Sequence, residues 1–231
     1  MFSDKFARVH FIARGAFGEA WKVKSRQTGE EFIMKEIIIR DHSQRDRERG
    51  ENEIEILRNC YNDYVVRYVD NFLEKEKFLI IMEFCECGDL DRYIKQQRKV
   101  LPEGHIMHWF KQITTALNYI HQRHVIHRDL KPANIFLTPW LQLKIGDFGL
   151  SKSLDQTQMT GTYCGTLHYM APEVITRQQY DQKADIWSLR CILYELATLK
   201  LAFGKNNYVL AIVKVSLKYY YIPKDLLLFL G

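Results

Sequence analysis

Apolar and polar positions along the chain fall into segments of different period. Residues 31–37 are mostly apolar and read as a strand with one interior lysine, Lys35. Before it, residues 12–20 read as a glycine-bearing turn between two strands, carrying Gly15 and Gly18. From about residue 45 to 59 the pattern becomes helical. Ile54, Ile56 and Leu57 gather on one side, with Glu51, Glu53 and Glu55 on the other. Residues 78–84 are almost continuously apolar, which predicts a strand buried on both faces. Between residues 102 and 123, Ile106, Phe110, Ile113, Leu117 and Ile120 recur at steps of three and four, the stripe of a helix against a core.

Residues 127–149 concentrate the candidate chemistry. They read His127-Arg128-Asp129-Leu130-Lys131-Pro132-Ala133-Asn134, then an apolar run, then Asp147-Phe148-Gly149. The carboxylate of Asp129 can orient and deprotonate a hydroxyl. The amide oxygen of Asn134 and the carboxylate of Asp147 are hard ligands suited to magnesium. Such a set matches phosphoryl transfer, which depends on positioning and on neutralised charge. Gly15 and Gly18 suit a turn whose backbone N–H groups approach phosphate oxygens.

Composition narrows the classes. A chain of 231 residues can bury a sizeable core in one two-lobed unit. A net charge of +5 is too mild to require a nucleic-acid role, and the arginines of residues 40–49 alternate with Asp41, Asp46 and Glu48. Five cysteines without regular spacing suggest a reducing compartment. Cys85 and Cys87 lack a second pair at zinc-ligand spacing, and the histidines lack an H-E-x-x-H pattern, so surface or packing roles suit His105, His108, His121 and His124. The first five residues show no secretory start. Residues 208–230 are apolar in short runs broken by Lys214 and Lys218, too short to span a bilayer. That tail is expected to favour a partner or self-association.

The stretch from His127 to Gly149 resembles the catalytic loop and metal motif of eukaryotic protein kinases. The resemblance implies an α+β, two-lobed fold. Residues 1–84 would form a small β-rich N-lobe with one regulatory helix. Residues 85–231 would form a mainly helical C-lobe, with a hinge at residues 83–88. It also implies ATP and Mg2+. Lys35 would reach the nucleotide phosphates and pair with Glu53. Asp129 would be the base, Lys131 would steady the γ-phosphate, and Asn134 and Asp147 would hold the metal. The adenine pocket would comprise Ile12, Ala20, Ile33, gatekeeper Met82, the backbone of Glu83 and Cys85, and Phe136, with Gly15 and Gly18 over the phosphates. Arg128 would clamp a phosphate on Thr162 or, second, Thr160, and Thr166 would buttress Asp129. Asp185 would open a long helix and receive the N–H groups of the His127–Arg128 turn.

The chain departs from the family pattern at several places. Ala13 replaces the first loop glycine, Cys87 a glycine after the hinge, and Leu167 a proline. Ile33 and Ala20 exchange large for small in the pocket, a compensated swap. Arg190 stands where the family has a small residue, and buried it would need an acid or water.

Residues 83–86 (Glu-Phe-Cys-Glu), 134–138 (Asn-Ile-Phe-Leu-Thr), 143–149 (Leu-Lys-Ile-Gly-Asp-Phe-Gly) and 196–200 (Leu-Ala-Thr-Leu-Lys) are similar to the NIMA-related (Nek) kinases. That resemblance covers about residues 6–204 and implies an incomplete C-lobe. It also implies serine/threonine phosphorylation of protein substrates and a cell-cycle role in the cytoplasm, centrosome, cilium or nucleus, while the mild net charge argues for no nucleic-acid partner. The alternative is a truncated, non-catalytic module that binds nucleotide or a partner.

Overall fold

The computed structural model describes residues 1–15, 18–39, 43–148, 152–153, 167–176 and 178–203. Thr160, Thr162, Thr166 and the apolar tail of residues 204–231 lie outside the described residues.

Five strands form one antiparallel sheet in the order β1-β2-β3-β5-β4. They are β1 (Phe6–Gly15), β2 (Gly18–Ser25), β3 (Glu31–Ile38), β4 (Tyr68–Glu74) and β5 (Lys77–Glu83). The period of two divides their side chains between two faces. On one face Phe32 and Met34 of β3 join Phe6, Val23, Leu79 and Ile81 in an aromatic-rich cluster closed by Phe2. On the other, Ile37, Ile80 and Met82 join the main core. The near-continuous apolarity of β5 is thus burial on both sides, as its composition predicts. Glu36 is 1% exposed yet ionisable, and Arg8 of β1 and Lys77 of β5 both hold its carboxylate, so the ion cluster ties three strands.

Helix α2 (Gln44–Arg58) bridges β3 and β4. The Ser43 side chain caps it by accepting the N–H of Asp46 at 3.3 Å. Ile54 and Leu57 pack inward and Glu51 and Glu55 are solvated, as their spacing predicts, but Glu53 departs from that pattern and is buried with the apolar residues, where Lys35 pairs with it. A short α1 (Phe2–Lys5) precedes the sheet.

Beyond residue 85 the elements are mainly helical: α3 (Leu90–Gln96), α4 (Glu103–His121), α5 (Pro172–Ile175) and α6 (Lys183–Thr198). Two small antiparallel pairs accompany them. Strand β6 (Val125–Ile126) pairs with β9 (Lys152–Ser153), and β7 (Ile135–Leu137) with β8 (Leu143–Ile145). The stripe on α4 buries Ile106, Ile113, Leu117 and Ile120, but Phe110 is only partly buried and Trp109 takes the deeper place. The Trp109 ring meets Tyr93 edge-on at 5.1 Å, and its Nε1–H donates to the Leu141 carbonyl at 2.8 Å. Gln112 interrupts the stripe because its Oε1 accepts the Leu143 N–H at 2.7 Å, anchoring β8 to the helix. Arg190 lies on an exposed face of α6, so water solvates its charge and burial does not strain the helix. No helix among the described residues is long and apolar enough to cross a membrane.

Backbone bonds join the two parts of the chain. Val66 N–H donates to Ile145 at 2.8 Å, and Ile145 N–H to Tyr64 at 2.8 Å. Leu137 N–H donates to Gly88 at 2.8 Å. These contacts set β8, and the residues that follow it, against the base of the sheet.

Trp109→Phe keeps an aromatic ring but removes the pyrrole half of the buried indole, which leaves the Leu141 carbonyl without its donor and a small cavity beside it. Urea denaturation should show a loss of about 1–3 kcal/mol with an unchanged m-value.

Candidate active site

The loop that carries Asp129 is held from below by one carboxylate. Asp185, in the first turn of α6 and 1% exposed, accepts the His127 N–H at Oδ2 and the Arg128 N–H at Oδ1, each at 2.9 Å. His121 Nε2 lies 2.8 Å from the same Oδ2, so one histidine expected merely to pack has a specific polar partner. Arg128 has φ +70°, a left-handed backbone that its side chain disfavours; two charge-assisted bonds hold the turn there.

His127 transmits that placement. Its ring is fully buried, Nδ1 accepts the Asp129 N–H at 3.3 Å, and Nε2 lies 3.0 Å from the Gly146 carbonyl. Both contacts are satisfied when the proton sits on Nε2. The ring also meets buried Phe148 at 5.1 Å. Gly146 is glycine for lack of room: a Cβ there would come within 2.8 Å of Val66 and 2.9 Å of Phe136. Asp147 follows with φ +60°.

Lys35 is where the two parts of the chain meet electrostatically. It projects from β3, and its Nζ lies 2.7 Å from Glu53 Oε1 of α2 and 2.5 Å from Asp147 Oδ1. Burial opposes the ammonium, but Asp147 and Glu53 outweigh it and raise its pKa, so Lys35 is charged at neutral pH. The Lys35 ammonium brings the Asp147 pKa down to about 2, against the opposing effect of burial. Glu53 moves the other way. It is 1% exposed, burial raises its pKa in spite of Lys35, and its Oε2 has no hydrogen-bond partner among the described residues.

Asp129, Lys131 and Asn134 form a second cluster. Lys131 Nζ donates to Asp129 Oδ2 at 2.7 Å. Asn134 Nδ2 donates to the Asp129 carbonyl at 2.8 Å and to Oδ2 at 3.1 Å. The short 3-10 turn Pro132–Asn134 places that amide. The Gly146 N–H donates to the Asn134 carbonyl at 3.0 Å, which joins this cluster to the residue before Asp147.

The nucleotide-pocket candidates line the adjoining strands. Ala20 pairs with Lys35 and Ile33 with Met82 in register. Met82 and Cys85 are buried, Phe136 is partly buried, and Ile12 is 45% exposed on β1. Gly15 and Gly18 are cross-strand partners. Gly18 also has a packing reason to lack a side chain: its Cβ would fall 1.7 Å from the Glu36 carbonyl. Glu83 holds more than the sequence suggests. Its Oε1 accepts the Arg67 N–H at 2.6 Å and Lys144 Nζ at 2.8 Å, tying the end of β5 to β8. An acid after an apolar strand and a lysine inside another carry no signal that they will meet.

The donor set fits magnesium with a phosphate ligand. Asp147 Oδ2 and Asn134 Oδ1 are hard oxygens with no hydrogen bond to the described residues. No group of three or more acidic, histidine or cysteine side chains able to enclose a metal exists among the described residues. Magnesium commonly takes one or two protein oxygens and completes its shell with phosphates and water, which such a pair allows.

Residues 6–225 match the protein kinase domain family, past residue 204 where the Nek-like phrases end. The chain belongs to the protein kinase family. Within it, similarity runs to the NIMA-related kinases. The chain is 39% identical over 214 residues to serine/threonine-protein kinase Nek1 of Mus musculus, covering 92% of this chain and 18% of that protein. It is 39% identical over 211 residues to serine/threonine-protein kinase Nek11 of Homo sapiens, covering 88% and 33%. It is 34% identical over 224 residues to serine/threonine-protein kinase nekl-2 of Caenorhabditis elegans, covering 92% and 63%. The chain thus spans less than two thirds of the length of each.

The Asp147 pKa gives a signed test. Its ionised form contributes stability above its ordinary value of 3.8, and that contribution fades as pH falls toward about 2. In Lys35→Met the carboxyl should titrate close to the ordinary range by 13C NMR, and the acid-side loss of stability below about pH 4 should shrink. An unmoved titration would contradict the pairing.

Proposed function

We propose that the chain is an ATP- and magnesium-dependent protein kinase that phosphorylates serine or threonine hydroxyls of protein substrates, in the manner of the Nek kinases. The observation that carries this reading is the Lys35 ammonium held between Glu53 and Asp147, with the Asp129–Lys131–Asn134 cluster joined to the residue before Asp147 by the Gly146 N–H bond to the Asn134 carbonyl at 3.0 Å. Bound Mg·ATP would supply the activated phosphoryl group and divalent charge.

The chain's own residues divide the remaining work. Lys35, kept cationic by two carboxylates, is suited to nucleotide phosphates. Asn134 Oδ1 and Asp147 offer the oxygens for magnesium. Asp129 accepts the hydrogen bond of the substrate hydroxyl and takes its proton, while Asn134 Nδ2 keeps the carboxylate oriented. Lys131 places a positive charge beside that carboxylate, where the transferring phosphate would need it. The Glu83 carbonyl and Cys85 N–H would meet the adenine edge. Ile12, Ala20, Ile33, Met82 and Phe136 would enclose its faces, with Gly15 and Gly18 over the phosphates.

Regulation by phosphorylation is part of the proposal. Arg128 stacks over Tyr180 at 5.0 Å, and its buried Nε has no hydrogen-bond partner among the described residues. A phosphate on Thr162, or on Thr160, would satisfy it by a charge-assisted bond. Thr166 would stand beside Asp129. Residence in the cytoplasm, centrosome, cilium or nucleus, a cell-cycle role, and a partner for the apolar tail rest on sequence likeness and composition.

Asp147→Asn should reduce γ-phosphate transfer to a serine/threonine substrate by at least about a hundredfold, with the fold retained by circular dichroism. A thermal-shift titration with Mg·ATP separates the readings. Nucleotide binding without mutation-sensitive transfer would overturn the kinase reading in favour of a nucleotide-binding module.

A further inference from the structure

Helix α2 carries a glycine in its interior. Gly50 is buried, three residues before Glu53. Glycine is second only to proline in disfavouring such a position. A Cβ there would lie 2.3 Å from Cδ2, 2.7 Å from Cε2 and 3.1 Å from Cγ of Phe78. Phe78 is itself 4% exposed, on β5 opposite Ile37 of β3, inside the main core. Protein interiors are close-packed, so a buried ring of this size yields little to an added methyl group. The helix backbone therefore lies directly on the ring.

Positions three apart share a face of a helix. Gly50, Glu53, Ile54 and Leu57 all face the sheet, and all are buried. The depth at which Gly50 meets Phe78 sets how far the next turn stands from β3. That turn carries Glu53, whose Oε1 must reach Lys35 Nζ at 2.7 Å while its Oε2 makes no bond among the described residues. One hydrogen bond thus holds the carboxylate, with Arg49 attracting it at longer range, and no second hydrogen bond among the described residues absorbs a displacement.

We propose that Gly50 is a positioning residue for the Lys35–Glu53 pair: the notch it forms over Phe78 seats α2 close enough for the ion pair to close. The inference rests on the kinase reading for its effect on activity, but its geometric content stands apart from that reading.

The test uses the full chain as wild type, Gly50→Ala, Phe78→Val and the double variant. Phe78→Val removes the ring atoms that a Cβ at position 50 would strike. Each is crystallised, and each is assayed for γ-phosphate transfer at saturating Mg·ATP. In Gly50→Ala the Lys35 Nζ–Glu53 separation should exceed about 3.5 Å, beyond hydrogen-bond reach. Transfer should fall roughly ten- to a hundredfold while the fold is retained, as expected for a small misplacement near reacting groups. Phe78→Val alone should keep the pair, and the double variant should recover it, with transfer within about threefold of Phe78→Val. The proposal is overturned if folded Gly50→Ala keeps the pair, or if the double variant folds without restoring it. It is also overturned if Gly50→Ala unfolds, since Gly50 would then set stability and not position. A wild type that transfers no phosphate would defeat the kinase reading, while the measured separations would still decide this one.

Discussion

One ammonium shared by two carboxylates organises the molecule. Lys35 arises on β3, Glu53 on α2 and Asp147 after β8, so their contact requires the sheet, the helix and the second lobe to be in register. The contact is selective because the three groups are unequally solvated. Glu53 is nearly inaccessible and disfavours ionisation, Asp147 is partly open and strongly favours it, and Lys35 is held charged between them. An Asp147 so readily ionised, with one oxygen free of the described residues, is available to a divalent cation at neutral pH. In the proposed reaction the same ammonium would exchange part of its interaction with carboxylate for interaction with phosphate.

The remainder of the site is a problem of holding disfavoured backbone in place. Arg128 and Asp147 both adopt left-handed conformations. Asp185 fixes the first through two N–H bonds, and His127 carries that constraint to the Gly146 carbonyl, next to the second. Backbone strain of this kind persists where surrounding contacts over-determine it. Here those contacts are a buried acid, a buried imidazole and a glycine wedged between Val66 and Phe136. Chemistry and architecture are therefore hard to separate: the groups that would act are set by groups that never touch a substrate.

Much of this was legible in the sequence, for identifiable reasons. A period near 3.6 located α2 and α4, because burial on one face imposes it, while nearly unbroken apolar runs located β3 and β5, because β5 is covered on both faces. Asp129, Asn134 and Asp147 suggested the site because their residue types suit phosphoryl transfer, whereas Lys35 and Glu53 were singled out by the resemblance to protein kinases. Other features left no trace in local pattern. Trp109 lies deeper than Phe110 because Tyr93 of α3 and the Leu141 carbonyl between β7 and β8 receive its indole, a tertiary choice that a stripe of apolar letters does not encode. Glu36 is charged in sequence but buried in space, since its partners come from β1 and β5. Likewise, Lys144 with Glu83 and His121 with Asp185 depend on residues distant in the chain. Gly50 did carry a signal, a glycine within a helical pattern, although its meaning needed the position of Phe78.

The central claim is that Lys35 and Asp147 interact directly across the lobes. A double-mutant cycle of Lys35→Met and Asp147→Asn, read by chemical denaturation near neutral pH, measures that interaction without reference to catalysis. Direct pairing predicts clear non-additivity, with a coupling above about 0.5 kcal/mol. Additive effects would mean that the two charges act independently, and would contradict the account.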